Sequence, residues 1–83
     1  MSDFDYSQHS TDVLVSALKE ENSYIARKKA ECRRLAKRIK KARGYSHRAL
    51  AIMSENLKTY ERMVEMAREE AAELESVIAQ RAA

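Results

Sequence analysis

The stretch Ala42-Arg43-Gly44-Tyr45-Ser46-His47 contains the only glycine of the 83-residue chain, which has no proline. Gly44 favours the left-handed backbone conformation in which helices commonly end. Ser46 is a residue type that caps the first turn of a following helix. Because so short a connection joins antiparallel neighbours, this stretch predicts a helical hairpin with its turn at Gly44 and Tyr45.

On both sides of this turn, apolar residues recur at the heptad spacing that is typical of coiled coils. The a and d positions before the turn are Thr11, Leu18, Ile25, Cys32 and Ile39, and Leu14, Glu21, Lys28, Leu35 and Ala42. Those after the turn are Leu50, Leu57, Val64, Ala71 and Ile78, and Met53, Tyr60, Ala67, Leu74 and Arg81. We therefore predict an all-α, antiparallel two-helix coiled-coil hairpin over residues 11–83, with helices over about residues 11–43 and 46–81.

Two charged residues fall inside the predicted seam of this hairpin. Folding the chain at Gly44 brings Glu21 close to Ala71 and Lys28 close to Val64. The aliphatic part of such a side chain packs in the seam while its charged group reaches water. Alternatively, charged residues in the seam fix the register of the helices.

The second helix carries an apolar column beside its seam. We call Ile52, Met63, Met66 and Val77 the apolar stripe. A wider apolar face is what a helix needs when it contacts two neighbours rather than one. The stripe predicts a homodimer that closes a four-helix bundle, and it predicts these four residues as the dimer interface.

Residues 1–10 are polar and acidic and have no helical periodicity. We predict a flexible tail, because chain ends fray unless they are held. The aromatic pair Phe4 and Tyr6 leaves open a docking peptide or an arm that packs over the bundle. Ser10 or Thr11 is expected to cap the first helix.

Charge is strongly segregated along the chain. Residues 1–22 hold five acids and one lysine, whereas residues 23–48 hold eleven Lys or Arg and one Glu, a net charge of +10. Residues 49–83 hold seven Glu and four Lys or Arg. In the hairpin, the turn end is therefore positive and the opposite end negative. In a dimer, this separation favours an antiparallel arrangement of the two hairpins.

The positive block forms the predicted binding surface. We call its outward residues the basic ridge: Arg27, Arg33, Arg34, Lys37, Lys40, Lys41 and Arg48. A run of like charges repels itself unless something offsets it. Three interpretations stay open: an anionic ligand, neutralisation by the acidic end of a second subunit, and a solvated face.

Few residues support catalytic or metal chemistry. His9 and His47 are isolated, and the single Cys32 occupies a seam position and excludes an intramolecular disulfide. A metal site needs about three or four converging ligands. The longest apolar run, Ala49–Met53, is too short to span a membrane. We expect no enzyme activity, no cofactor, no metal, no small-molecule substrate and a cytoplasmic location.

These observations favour a small helical regulatory protein that docks its basic ridge on an anionic macromolecule and modulates or inhibits it. The partner is RNA, DNA or an acidic protein surface, and scarce aromatic residues argue against base stacking. The size fits the accessory proteins that phages and plasmids encode. The alternative is a structural assembly module whose segregated charges set subunit orientation.

Overall fold

The computed structural model describes residues 5–82, which form two long helices and one short turn of 3₁₀ helix. The 3₁₀ turn is Tyr6–Gln8, helix α1 is Thr11–Lys40, and helix α2 is His47–Ala82. The described residues include no strand. The two helices pack against each other in a slender molecule about 56 Å long. The predicted all-α hairpin is thus confirmed. Phe4, which the sequence placed with Tyr6 in a docking peptide or an arm, lies outside the described residues.

A serine caps the start of each helix: Ser10, one of the two predicted candidates, caps α1, and Ser46 caps α2 as predicted. The Ser10 Oγ accepts a hydrogen bond from the Val13 N–H at 3.3 Å, and the Ser46 Oγ accepts one from the Ala49 N–H at 3.1 Å. Each bond satisfies a backbone donor that has no partner within its own helix. Asp12 also lies in the first turn of α1, where a negative charge is favourable.

The turn is longer than the sequence predicted, because α1 ends at Lys40 rather than at residue 43. The Ala42 N–H donates to the Ile39 carbonyl at 3.2 Å, and the Arg43 N–H donates to the Lys41 carbonyl at 2.8 Å. These short-range bonds replace the helical pattern before Gly44 is reached. Gly44 then reverses the chain with φ +87°, so it serves the loop rather than the helix cap itself.

Replacing Gly44 should destabilise the hairpin through the backbone alone. A Cβ at this position would meet no atom within 4 Å, so crowding contributes nothing to the cost. We expect Gly44→Val to lower the free energy of unfolding by about 1–2 kcal/mol, because a β-branched residue resists positive φ. Gly44→Asn should cost less, since asparagine tolerates that region. Urea denaturation of the two variants measures the difference, and equal stability of Gly44→Val and wild type would refute this role.

The core is a thin line of apolar residues between the helices. Ile25, Val64, Ala67 and Ala71 form its centre, and Leu18, Tyr24 and Cys32 pack against them. Leu14 and Leu74 continue the buried line toward the end opposite the turn. Leu14 is the most deeply buried of these, with 2% of its surface exposed. Because the buried residues are few and several are alanines, each large side chain matters to stability.

Contacts between the helices fix their antiparallel register. Arg81 Nη1 lies 3.4 Å from Thr11 Oγ1, and Glu21 lies against Glu70, next to the predicted neighbour Ala71. Lys28 Nζ lies 4.9 Å from the centre of the Tyr60 ring, one turn from its predicted neighbour Val64. The observed neighbour Tyr60 differs from the predicted neighbour Val64 because the long aliphatic chain of Lys28 extends along the seam by about one turn.

Candidate binding surfaces

The positive end of the hairpin is fully open to solvent. All seven residues of the basic ridge are exposed, and none forms an ion pair with another residue in the part of the chain described by the structure. Arg27, Arg34 and Lys41 follow one another at intervals of seven. Because a straight helix drifts only about 20° per heptad, Arg27 and Arg34 lie along one line of α1, and Lys41 follows directly after its last residue. The structure therefore presents a line of unpaired cations.

Not every ridge residue lies on that line. Arg33 borders a groove on one face of the hairpin, together with Lys29, Cys32, Glu61, Val64 and Arg68. Arg27, which lies on the line, also borders a groove on the outer side of α1 that extends past Ser23 to Ser16. The ridge is thus broader than a single row and continues onto one flank of the molecule.

The opposite face carries a larger groove, which the sequence did not predict. This groove measures about 550 Å³, and we call it the acidic groove. Its lining is Ala17, Glu20, Glu21, Tyr24, Arg27, Met63, Met66, Ala67 and Glu70. It continues past Glu21 and Glu70 toward Tyr6, His9 and Val13 near the end of α1. Three carboxylates and two methionines therefore share one open face.

Two carboxylates meet in the acidic groove. Packing of the helices removes water from Glu21, and this loss of solvation raises the pKa of its carboxyl group. The negative charge of Glu70 on α2 raises the Glu21 pKa further. A raised pKa means that the folded hairpin disfavours the Glu21 carboxylate, so stability falls as pH rises through that pKa.

Removing the neighbouring charge should relieve this cost. We expect Glu70→Gln to stabilise the isolated hairpin by about 0.3–0.5 kcal/mol at pH 7, a small gain because solvent screens the pair. The gain should be smaller at pH 3 than at pH 7, because the repulsion is lost once the Glu21 carboxyl group, whose pKa is raised, is protonated. Glu69→Gln, one residue away, provides the control. Thermal unfolding at pH 3 and pH 7 measures both variants, and an equal gain at the two pH values would contradict the mechanism.

Lys28 occupies the seam without losing its charge. Its ammonium group lies 3.0 Å from the Glu31 carboxylate and within 5.8 Å of the Tyr24 ring centre. The hydrogen bond to Glu31 raises the Lys28 pKa, so the side chain stays charged. The Tyr24 and Tyr60 rings come from different helices, so the lysine connects α1 to α2 through cation–π contacts.

Arg81 holds the N-terminal arm against the end of the hairpin. Its guanidinium donates to the carbonyl oxygens of Tyr6 and His9, both at 2.7 Å. Asp5 caps the 3₁₀ turn by accepting from the Ser7 N–H and hydroxyl at 3.0 and 2.6 Å. These bonds to Ser7 lower the Asp5 pKa. Residues 5–9 therefore pack against the end of the hairpin, as in the alternative of an arm, whereas the flexibility predicted for residues 1–10 stays a prediction.

The apolar stripe is largely open to solvent on the single chain. Ile52, Met63 and Met66 expose 53%, 39% and 56% of their surfaces, and Val77 is half-buried. Met63 and Met66 also line the acidic groove. The stripe and the groove are therefore parts of one continuous face that the hairpin does not cover.

The described residues contain no cluster of three or more His, Cys, Asp and Glu side chains that could hold a metal ion. His47 is exposed at the first turn of α2, and Cys32 is half-buried beside the core. Within residues 5–82, neither helix is both long enough and apolar enough to cross a membrane.

No family model, curated protein or solved structure matches the chain. The hairpin presents two surfaces to a partner, the basic ridge and the face that joins the apolar stripe to the acidic groove.

Proposed function

We propose that this protein is a non-enzymatic, cytoplasmic regulatory protein that docks its basic ridge on an anionic macromolecule and thereby modulates or inhibits it. The main support is the line of exposed cations, none of which forms an ion pair with an acidic residue among the described residues. Exposed like charges destabilise one another, and an anionic ligand would offset that repulsion. The ligand class is nucleic acid or an acidic protein surface, both of which present many negative charges.

The active form of the protein is a homodimer. The exposed methionines and Ile52 support this part of the proposal, because full burial of such a side chain contributes about 1.5–3 kcal/mol and about half of each remains to be buried. Closed twofold pairs are the commonest soluble oligomers. The two hairpins would form a four-helix bundle, with their basic ridges left outside the interface.

Charge reversal on the ridge tests the proposal. The variant Arg27→Glu, Arg34→Glu, Lys41→Glu is compared with wild type for binding to a 20-bp DNA duplex, a 20-nucleotide RNA and polyglutamate. We expect wild type to bind at least one probe with strong salt dependence, and we expect the variant to lose about 100-fold or more in affinity. Fluorescence anisotropy at two salt concentrations measures both quantities, and circular dichroism should show unchanged helicity.

The chain offers a control with the same change in net charge. Lys19→Glu, Lys58→Glu, Arg62→Glu also reverses three exposed cations, but these lie outside the ridge. This control should retain most of the affinity. Equal losses in the two triple variants would mean that only net charge matters, and absence of binding to all three probes would refute the proposal.

The second candidate function is a structural assembly module, in which the segregated charges only orient the subunits. The exposed apolar stripe favours this alternative, because it serves self-association without any ligand. A dimer that binds none of the three probes would select it.

A further inference from the structure

The apolar stripe is symmetric about the middle of α2. Ile52 and Val77 lie equally far from the midpoint between Val64 and Glu65, and so do Met63 and Met66. This point is also the midpoint of the helix, which runs from His47 to Ala82. In an antiparallel pair of α2 helices centred there, Ile52 faces Val77 of the second copy and Met63 faces its Met66. The whole length of both helices then overlaps.

The polar residues between the stripe positions obey the same symmetry. Thr59 and Glu70 are equally far from the midpoint, as are Asn56 and Glu73. All four lie three or four residues from a stripe residue, and hence on the same helix face. Glu73 therefore faces an amide that can donate a hydrogen bond to it. Glu70 faces the Thr59 hydroxyl, which in the single chain donates to the Glu55 carbonyl at 3.0 Å and would have to rotate to donate to Glu70. In a parallel pair, Glu70 would face the other Glu70 and Glu73 the other Glu73.

The same arrangement places the acidic half of each α1 level with the basic half of the other. When the two stripe faces meet about a twofold axis, α2 lies on α2 and α1 lies on α1. The register of the hairpin, with Glu21 beside Glu70, then places Glu21 level with residues 32–34 of the second copy. Arg33 and Arg34 in that segment lie away from the interface, so they form no ion pair with Glu21. The two halves of opposite net charge nevertheless lie side by side, which lowers the repulsion that a parallel dimer would create.

This dimer would join the two basic ridges along one edge of the bundle. The two Arg27 residues come close to the centre, and Arg34 and Lys41 of each copy continue toward opposite ends. From one Lys41 to the other, the line covers about 27 residue positions, or about 40 Å at 1.5 Å per residue. Residues 11–43 carry a net charge of +7 in each copy, whereas residues 46–82 carry −2. The edge formed by the two α1 helices is therefore the positive one.

We infer that the two basic ridges of the dimer form one continuous line of cations about 40 Å long, and that the ligand of this line is the phosphate backbone of a nucleic acid duplex. This inference rests on the proposed function and gives it a ligand class. A straight line of this length matches about 12 base pairs, since the phosphates of one strand are spaced by about 3.4 Å. Of the described aromatic residues, only Tyr45 is exposed, and it lies at the turn, so the contacts address the backbone rather than the bases.

Distances between spin labels test the dimer register. In a Cys32→Ser background, a label is placed at Ala51→Cys or at Glu65→Cys, both exposed and outside the stripe. The antiparallel register predicts a separation of about 40 Å along the bundle for the first site, because the two Ala51 residues lie 27 positions apart. The second site lies near the symmetry centre and should give a distance below about 20 Å. Short distances at both sites would indicate a parallel dimer and overturn the inference.

Binding to duplexes of 6, 12 and 18 base pairs tests the ligand. We expect the affinity of the wild-type dimer to rise about tenfold or more from 6 to 12 base pairs and to change little at 18. Met63→Glu combined with Met66→Glu should remove this length dependence, because the variant is expected to be monomeric. The basic ridge of one monomer covers only about half of the 40 Å line of cations in the dimer. DNA and RNA duplexes should both bind, since both present the same phosphate chemistry.

Different binding results would overturn the continuous line of cations, nucleic acid as the ligand, and the proposed function. Binding of all duplexes without length dependence would overturn the continuous line of cations while leaving the basic ridge as a binding surface. Binding of polyglutamate without any duplex would overturn nucleic acid as the ligand and indicate an acidic protein. Loss of binding to every probe would remove the proposed function itself.

Discussion

Met63→Glu combined with Met66→Glu should convert the proposed dimer into monomers. The two methionines expose 39% and 56% of their surfaces on the single hairpin, so an interface can bury about half of each. Full burial of a methionine contributes about 1.5–3 kcal/mol, so burying the exposed half of four contributes about 3–6 kcal/mol to a dimer. Their loss weakens association by about 10²–10⁴-fold at 1.4 kcal/mol per factor of ten. The introduced carboxylates add to the effect, because they would be buried beside Glu70 without a partner.

Sedimentation at high micromolar concentration measures this change. The matched control is Ala51→Glu combined with Ala72→Glu, which adds the same charge at exposed positions outside the stripe. The control should remain dimeric, and both variants should keep the helicity of wild type. A wild-type protein that sediments as a monomer at this concentration would show that the stripe does not form an interface.

Leu14→Ala should produce the largest loss of stability of any single substitution in the core. Leu14 is the most deeply buried large side chain and lies under the arm, close to Tyr6 and Leu74. Removing a buried leucine side chain costs about 2–5 kcal/mol, because transfer energy is lost and a cavity remains. A domain of this size has only about 4–12 kcal/mol of stability in total. The variant should therefore be substantially unfolded at temperatures where wild type is folded.

Urea denaturation followed by circular dichroism measures the loss. Val15→Ala is the matched control, because Val15 lies one residue away and exposes 46% of its surface. This substitution should change the free energy of unfolding by less than about 0.5 kcal/mol. If Leu14→Ala were as stable as the control, the end of the hairpin near the arm would contribute little to folding.

The hairpin could be predicted from sequence because its determinants are local and repetitive. The heptad spacing of apolar residues indicates which side of each helix is buried, and a single glycine allows only one place for the chain to turn. Ser46 could be assigned as a cap for the same reason, since capping depends on residues three positions apart. The end of α1 was predicted three residues too late, because Ala42 and Arg43 have no side-chain signal that distinguishes a helix from a tight turn.

The features that the sequence did not predict depend on contacts between distant residues. Arg81 occupies a seam position, where the heptad pattern expects an apolar side chain, and its partners are the Tyr6 and His9 backbone carbonyls. A carbonyl has no residue-type signature, so this contact leaves no pattern in the sequence. Predicting the acidic groove would have required the register of the two helices, because Glu21 and Glu70 lie side by side only in the register that the structure shows.

The bonds from Arg81 to the Tyr6 and His9 carbonyls close a loop that spans most of the chain, and this predicts the order in which the hairpin folds and unfolds. They join residues 72 and 75 positions apart, whereas contacts near Gly44 close short loops. Short loops close in about 10–100 ns and at lower entropic cost, so pairing should start at the turn and travel toward the ends. The arm then docks last, and it is the first segment to open. Its amide protons should exchange through a local opening that leaves the Ile25 and Val64 layer intact.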